Sequence, residues 1–344
     1  MHSQDNETKL INYLLERRLM RLPKDVLINF LESYTDMGSN KDFSKANKQV
    51  NLVQDILKYY QIKESNSEFR EKFKDFIRDK VLAARESIYL ISVDSSEQVI
   101  DWIRSWSDNS FIGENFNFSL STSINFREKY LDQDKSEDGK ISFPSLVFFM
   151  LAAKKESKPL LNSSDIIDYY PTVEFEIIFR ENLNIIEVRG SYKIARDFVN
   201  TAILDSHNPL SMARSVFIGE EKDQKNSLVK PIRKIVKIEE LKASLEGVYQ
   251  KLASSFPGDK TSKIEVDLDD LQNIDEETHP VALEVITEIS KEPAKASIGF
   301  SYKDKKYSFS ITKTGGLLFR KYITEEVVTH IIQKILFTSG NKNG

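Results

Sequence analysis

Between Lys225 and Lys237 the chain carries five basic residues, Lys225, Lys230, Arg233, Lys234 and Lys237, and no acidic one. On a helix, Lys230, Arg233, Lys234 and Lys237 stand at i, i+3, i+4 and i+7, which is one face. Ile232, Ile235 and Val236 would then turn to the body of the protein. Such a stripe suits a phosphate backbone, because each neutralised phosphate releases a counterion. An ordinary solvated face has the same look in a chain that is 30% charged. These five residues are the candidate nucleic-acid-binding set.

Carboxylates supply two weaker candidates. Asp134 to Ser145 resembles an EF-hand calcium loop, with oxygen side chains at positions 1, 3 and 5 and Gly139 at position 6. Position 12 is Ser145, where the loop needs a bidentate Glu. The loop therefore reads as an Asp-Gly turn between strands, and no metal site is assigned. Glu176 and Glu187 face each other if the hairpin at 172–190 turns at Glu181-Asn182. Like charges directly opposed destabilise a sheet. A basic partner, a metal, or exposure beside Arg180 and Arg189 would relieve them. The nuclease-like triplets Glu240-Leu241-Lys242 and Asp223-Gln224-Lys225 lack an apolar strand context.

Composition removes most other chemistry. There are no cysteines, so thiolate nucleophiles, disulfides and cysteine metal sites are out. The four histidines, His2, His207, His279 and His330, form no His-x-x-x-His pair. Glycine numbers only 12 in 344 residues, and no phosphate-binding glycine loop or Gly-x-Ser-x-Gly elbow occurs. No cofactor is expected, and an enzyme is the less favoured reading. A formal net charge of −4 excludes a globally basic binder, so any polyanion contact must be a local patch. The longest apolar run, Leu146 to Ala153, falls well short of the roughly 20 residues of a membrane helix. The N-terminal residues lack a basic flank before an apolar core, so the expectation is a cytoplasmic protein without a membrane partner.

The elements that must position these residues follow from periodicity. Leu10 to Arg85 reads as four helices, including Val26, Leu27, Phe30 and Leu31 at helical spacing. Ile88 to Val93 reads as a strand, Ser95 to Trp106 as a helix, and Phe116 to Phe126 and Ile141 to Ala152 as strands. The first hairpin, in the two-residue-turn register, pairs Phe175 with Val188, Ile177 with Ile186 and Glu174 with Arg189. A helix follows over Tyr192 to Leu204. Another covers about Ile238 to Ser254. A second hairpin over Ala296 to Thr312, turning at Asp304-Lys305, pairs Phe300 with Phe309 and Ile298 with Ile311. Thr324 then opens a helix with Glu325 and Glu326 in its first turn.

Three stretches resemble known families. Phe76, Ile77, Val81 and Leu82, then Ile88-Tyr89-Leu90-Ile91, then a helix, resemble the start of a phospholipase-D-like half. That chemistry needs a His-x-Lys pair, which this chain lacks, so the resemblance implies a binding version at most. Ser308 to Phe337 resembles one half of a TATA-binding-protein-like unit. Leu19 to Pro23 with Val26, Leu27 and Leu31 resembles the opening of the centromere protein N family, whose later domain is sheet plus helix. Each stretch is short, and the reading rests on the residues themselves.

The expectation is an α+β fold: an N-terminal helical bundle, then antiparallel sheet units with helices packed on one face. The segments are 1–86, helical; 87–205, central α+β; 206–262, basic segment and connecting helix; and 263–344, a hairpin and helix unit. The expected function is non-enzymatic, sequence-independent nucleic-acid binding or an adaptor role. The competing expectation is a protein–protein interaction subunit, with a protein partner or an oligomer and no nucleic acid.

Overall fold

The computed structural model describes residues 16–34, 47–63, 65–82, 87–93, 96–105, 110–112, 116–126, 144–154, 156–159, 166–183, 185–199, 216–217, 238–255, 263–267, 295–312 and 316–340. The fold is α+β, helices with a large antiparallel sheet. No helix among the described residues is long and apolar enough to cross a membrane.

The N-terminal elements are a helical stretch at 16–19, then α1 (Lys24–Tyr34), α2 (Gln49–Lys63) and α3 (Ser67–Phe76). Asn66 starts α3 because its side-chain oxygen accepts from Phe69 N at 3.0 Å. Phe69, Phe73 and Phe76 are buried at i, i+4 and i+7, and Phe76 meets Phe30 at 4.2 Å between ring centroids. A π-turn over Ile77–Val81 then carries Ile77, Val81 and Leu82 into the same core.

The sheet elements are β1 (Ser87–Ser92), β2 (Ser110–Ile112), β3 (Asn117–Asn125), β4 (Leu146–Ala153), β7 (Thr172–Arg180), β8 (Ile185–Arg189), β9 (Val216–Phe217), β10 (Val248–Ser255), β11 (Lys263–Asp267), β12 (Lys295–Tyr302), β13 (Lys305–Thr312) and β14 (Leu317–Leu318). A separate two-stranded pair holds β5 (Glu156–Pro159) and β6 (Ile166–Tyr169). The helices beyond the N-terminal region are α4 (Ser96–Arg104), α5 (Tyr192–Asp197), α6 (Ile238–Ser244) and α7 (Glu325–Gly340). Strand order is β11-β10-β12-β13-β14-β1-β8-β7-β4-β3-β2, with β9 also on β1. The sheet crosses from the C-terminal hairpin to the central strands where Ser87 and Ile88 of β1 pair with Leu318 and Leu317.

The expectation that helices cover one face does not hold. Phe148, Ile177, Phe179 and Val188 share a core with Val99 and Ile103 of α4 and Ile194 of α5. Their strand neighbours Val147, Phe149 and Ile178 share a core with Phe30, Leu52 and Phe76 of the N-terminal helices. A third core joins Ile88 and Leu90 of β1 to Phe300, Phe309 and the Val327, Val328, Ile331, Ile332 stripe of α7. The unbroken apolar run of β4 is the sequence mark of a strand buried on both sides.

Three local expectations are corrected. The first hairpin turns through Glu181–Leu183, a 3-10 turn, and not through a two-residue turn. Its register moves by two, pairing Ile177 with Val188 and Glu176 with Arg189. The second hairpin turns at Lys303-Asp304, pairing Phe300 with Tyr307 and Ile298 with Phe309. Lys303 and Asp304 both adopt left-handed backbone, φ 48° and 59°, the pattern of a type I′ turn, whose twist matches the strands. A slip of two keeps every side chain on its expected face; a slip of one would have inverted the sheet. The helix expected to reach Ser254 stops at Ser244. Glu246 is left-handed, φ 51°, and Gly247 N donates back to Lys242 O at 2.9 Å, a helix-terminating arrangement. Val248 onward is strand.

Candidate functional site

Two groups of charged residues stand out, one buried and one exposed. The buried group grows from strand geometry. Residues 176, 178 and 180 of β7 share a face, as do 185, 187 and 189 of β8. In register, Glu176 opposes Arg189 and Ile178 opposes Glu187. Glu325 and Thr329, one turn apart on α7, reach the same place, and Arg18 closes it from the helical stretch at 16–19.

The bonding is dense. Arg180 Nε donates to Glu187 Oε1, its Nη2 to Glu325 Oε1, and its Nη1 to Thr329 Oγ1 at 2.9 Å. Arg189 Nη2 donates to Glu187 Oε2 at 2.7 Å and to Glu325 Oε2 at 2.9 Å. Arg18 pairs with Glu176. Arg180, Arg189, Glu187 and Glu325 are all 0% exposed. Three guanidiniums meet three carboxylates, so formal charge cancels within the cluster. Burial pushes the Glu187 carboxyl up, but Arg180 and Arg189 outweigh it and hold it below the usual range. Burial keeps Glu325 above its ordinary value, because Arg189 and Arg180 are shared with Glu187, whose charge repels it.

This arrangement locks elements together. Each carboxylate is occupied by arginine and closed to solvent, so a general base or nucleophile there would have no substrate within reach. The cluster sits on the sheet face between the core of the N-terminal helices and the core of α7, and it touches both. The expected Glu176–Glu187 pair is therefore corrected. The two are not opposed, and arginines rather than a metal or solvent neutralise them.

The exposed group lies at the tip of the last hairpin. Lys305 and Lys306 open β13 and Arg320 and Lys321 follow β14; all four are exposed. The pairing of Ser310 with Leu318 and Ile311 with Leu317 folds the second run back beside the first. Phe309 and Phe319, 5.9 Å between centroids, continue that approach. Among the described residues, no ion pair engages these four cations. Lys303 differs: it pairs with Glu326, which also accepts from Tyr302 Oη at 3.2 Å. That hydrogen bond and charge raise the Lys303 ammonium. The Tyr302 ring packs on His330 at 4.5 Å between centroids, and burial, then Lys334, lowers the His330 imidazole.

Lys225, Lys230, Arg233, Lys234 and Lys237 lie outside the described residues. So do Asp134 to Phe143 of the calcium-like loop. Ser145, at its twelfth position, donates from both N and Oγ to Phe179 O, at 2.8 and 3.0 Å, which ties it to β7. The outer face of β12–β13 is polar, with Ser297 and Ser310 hydroxyls 2.8 Å apart. Its centre is largely closed, since Ser310 is 5% exposed and the Gln250 side chain lies over Gly299. Sequence reading missed the tip cations because Lys-Asp-Lys-Lys and Arg-Lys are each too short to register alone. It weighed Arg180 and Arg189 only as surface neighbours.

No family model matches the chain, and no curated protein matches it.

Proposed function

We propose that this is a non-enzymatic, sequence-independent nucleic-acid-binding or adaptor protein of the cytoplasm. The observation that carries the reading is the acid-free run from Lys225 to Lys237, with five cations in a chain whose net charge is −4. Excess positive charge concentrated in an otherwise acidic chain is the footprint of a local polyanion contact. The buried arginines do not compete for this role, since their charge is already balanced. In this reading 1–86 is a helical bundle domain, and 206–262 carries the contact between the central unit, 87–205, and the C-terminal unit, 263–344.

Fluorescence anisotropy on duplexes of unrelated sequence tests the reading. Binding should be nearly sequence-independent, with a log–log salt slope of roughly −3 to −4 for the 230–237 face. Changing Lys230, Arg233, Lys234 and Lys237 together to Glu should abolish binding and leave the circular dichroism spectrum unchanged. No binding to DNA or RNA at low salt would refute it.

A second reading, a protein–protein interaction subunit, draws on Tyr170 and Val173, which are 52% and 48% exposed at the start of β7. If the 225–237 segment lies against another subunit, the same quadruple variant should lose a co-purifying partner, and a partner seated on Tyr170 and Val173 should be lost in Val173→Asp.

A further inference from the structure

The geometry points to a second contact: Lys305, Lys306, Arg320 and Lys321 at the hairpin tip engage the phosphate backbone of double-stranded nucleic acid. This rests on the nucleic-acid reading above and names residues that the basic run does not contain.

Among the described residues, charge at the tip is unbalanced. Four exposed cations have no ion pair among the described residues. Of the nearby carboxylates, Glu326 is taken by Lys303, and Asp79 by Arg78. Asp304 in the turn and Asp25 on α1 are exposed acids among the described residues of this neighbourhood. Adjacent strands lie about 4.8 Å apart and rise about 3.3 Å per residue. The backbone positions of the first two residues of β13 and the two that follow Phe319 therefore fall within about 10 Å, with Lys305 and Lys306, as strand neighbours, on opposite faces of β13. At about 3.4 Å of axis per phosphate on one strand, that reach covers about three phosphates.

The turn end of the site is tied into the fold. Glu325, at the start of α7, is anchored in the buried cluster. Its neighbour Glu326 holds Lys303 and the Tyr302 hydroxyl. A type I′ turn closes the tip with no slack residue. Cations on a stiff support lose less freedom on binding than cations on a loop.

The rings decide between duplex and single strand. Single-strand binders stack bases on open aromatic faces. Here Tyr302 packs on His330, with Lys303 Nζ 5.7 Å from its centroid. Tyr307 packs on Phe300 at 5.8 Å, and Phe309 meets both Phe300 and Phe319. With these rings partly covered, charge outweighs open ring surface among the described residues of the tip. That suits a paired backbone, and it positions rather than reads sequence.

The test uses the full chain and a labelled duplex of mixed sequence, with its single strand alongside. Lys305, Lys306, Arg320 and Lys321 are changed together to Ser, and each is also changed singly in case the quadruple variant folds poorly. The quadruple should lose at least about tenfold in duplex affinity at moderate salt and flatten the salt slope by about 3 to 4. Each single change should flatten it by about 1. Asp304→Gly, which removes the acidic residue of the turn, should tighten binding. If wild type binds no nucleic acid at all, the functional reading fails and takes this proposal with it. Tight wild-type binding that the tip variants leave unchanged overturns the tip alone and returns the contact to 225–237. Preference for the single strand overturns the duplex assignment.

Discussion

At the scale of single residues, the consequential feature is charge buried in balance. A buried ion pair adds little net stability, because desolvation costs about what attraction returns; removing one partner is what costs. Glu187 binds both Arg180 and Arg189. Glu187→Gln should therefore destabilise by about 3–5 kcal/mol, measured by urea unfolding. Glu176→Gln should cost less, because Glu176 has Arg18 as its ion-pair partner and its Oε2 makes no hydrogen bond. Replacing Arg180, Glu187, Arg189 and Glu325 together with Met and Leu should come out near neutral. The pH dependence has a definite sign. Glu187 is held below its unfolded value, so its contribution is complete above about pH 4.3 and is lost as pH falls through the folded value. Glu325 is raised, so its contribution is present below that pH and fades as pH rises through its folded value. A urea midpoint followed from pH 7 to 3 should drop on the acid side, and Glu187→Gln should flatten that limb. An unchanged limb would place the acid sensitivity elsewhere.

At the scale of elements, the last hairpin shows how turn chemistry sets register. Lys303 and Asp304 take the left-handed backbone that a type I′ turn demands at both central positions. Asn-Gly and Asp-Gly fill such turns best, so Asp304→Gly should raise stability by about 0.5–1 kcal/mol, seen as a higher melting temperature. The face the hairpin buries is fixed independently of that register. Phe309 is 2% exposed and packs with the α7 stripe, so Phe309→Ala should cost about 3–5 kcal/mol. A loss below about 1 kcal/mol would mean the sheet faces the other way. Helix α6 shows the converse lesson. Ile238 to Ser254 has helical spacing in sequence, yet a left-handed Glu246 and the Gly247 return bond end the helix early. A Cβ on Gly247 would stand 2.8 Å from Ile298, so only glycine lets the turn lie this close to β12.

At the scale of the whole molecule, the cluster is a seam. Arg18 reaches it from the N-terminal side, and Glu325 and Thr329 from α7, with β7 and β8 between them. Arg18→Met keeps the volume and removes the charge, leaving Glu176 buried without its guanidinium. Amide exchange should then quicken in α1 and α2, whose core adjoins the seam, while β12 and β13 keep their protection. Uniform quickening everywhere would instead show that the seam governs global unfolding.

Periodicity alone determined the kind of most elements, though not of 248–254, which it read as helix and which is strand. It gave the alternation of both hairpins, the apolar run of β4, and the acidic opening of α7. It also exposed the acid-free cationic run at 225–237. Those are local properties, written within about ten residues of each other. Tertiary structure decided the rest. A hairpin's register depends on how many residues its loop consumes, and hydrophobic alternation is blind to a slip of two. That slip turned Glu176 from a facing glutamate to Arg189. Glu325 shows the same division of labour. Its position in a first helical turn is legible as a favourable charge at a helix start. Its burial against Arg180 and Arg189, 145 and 136 residues away, is not. Only packing between cores that are distant in sequence brings those three together, and no local spacing encodes that choice.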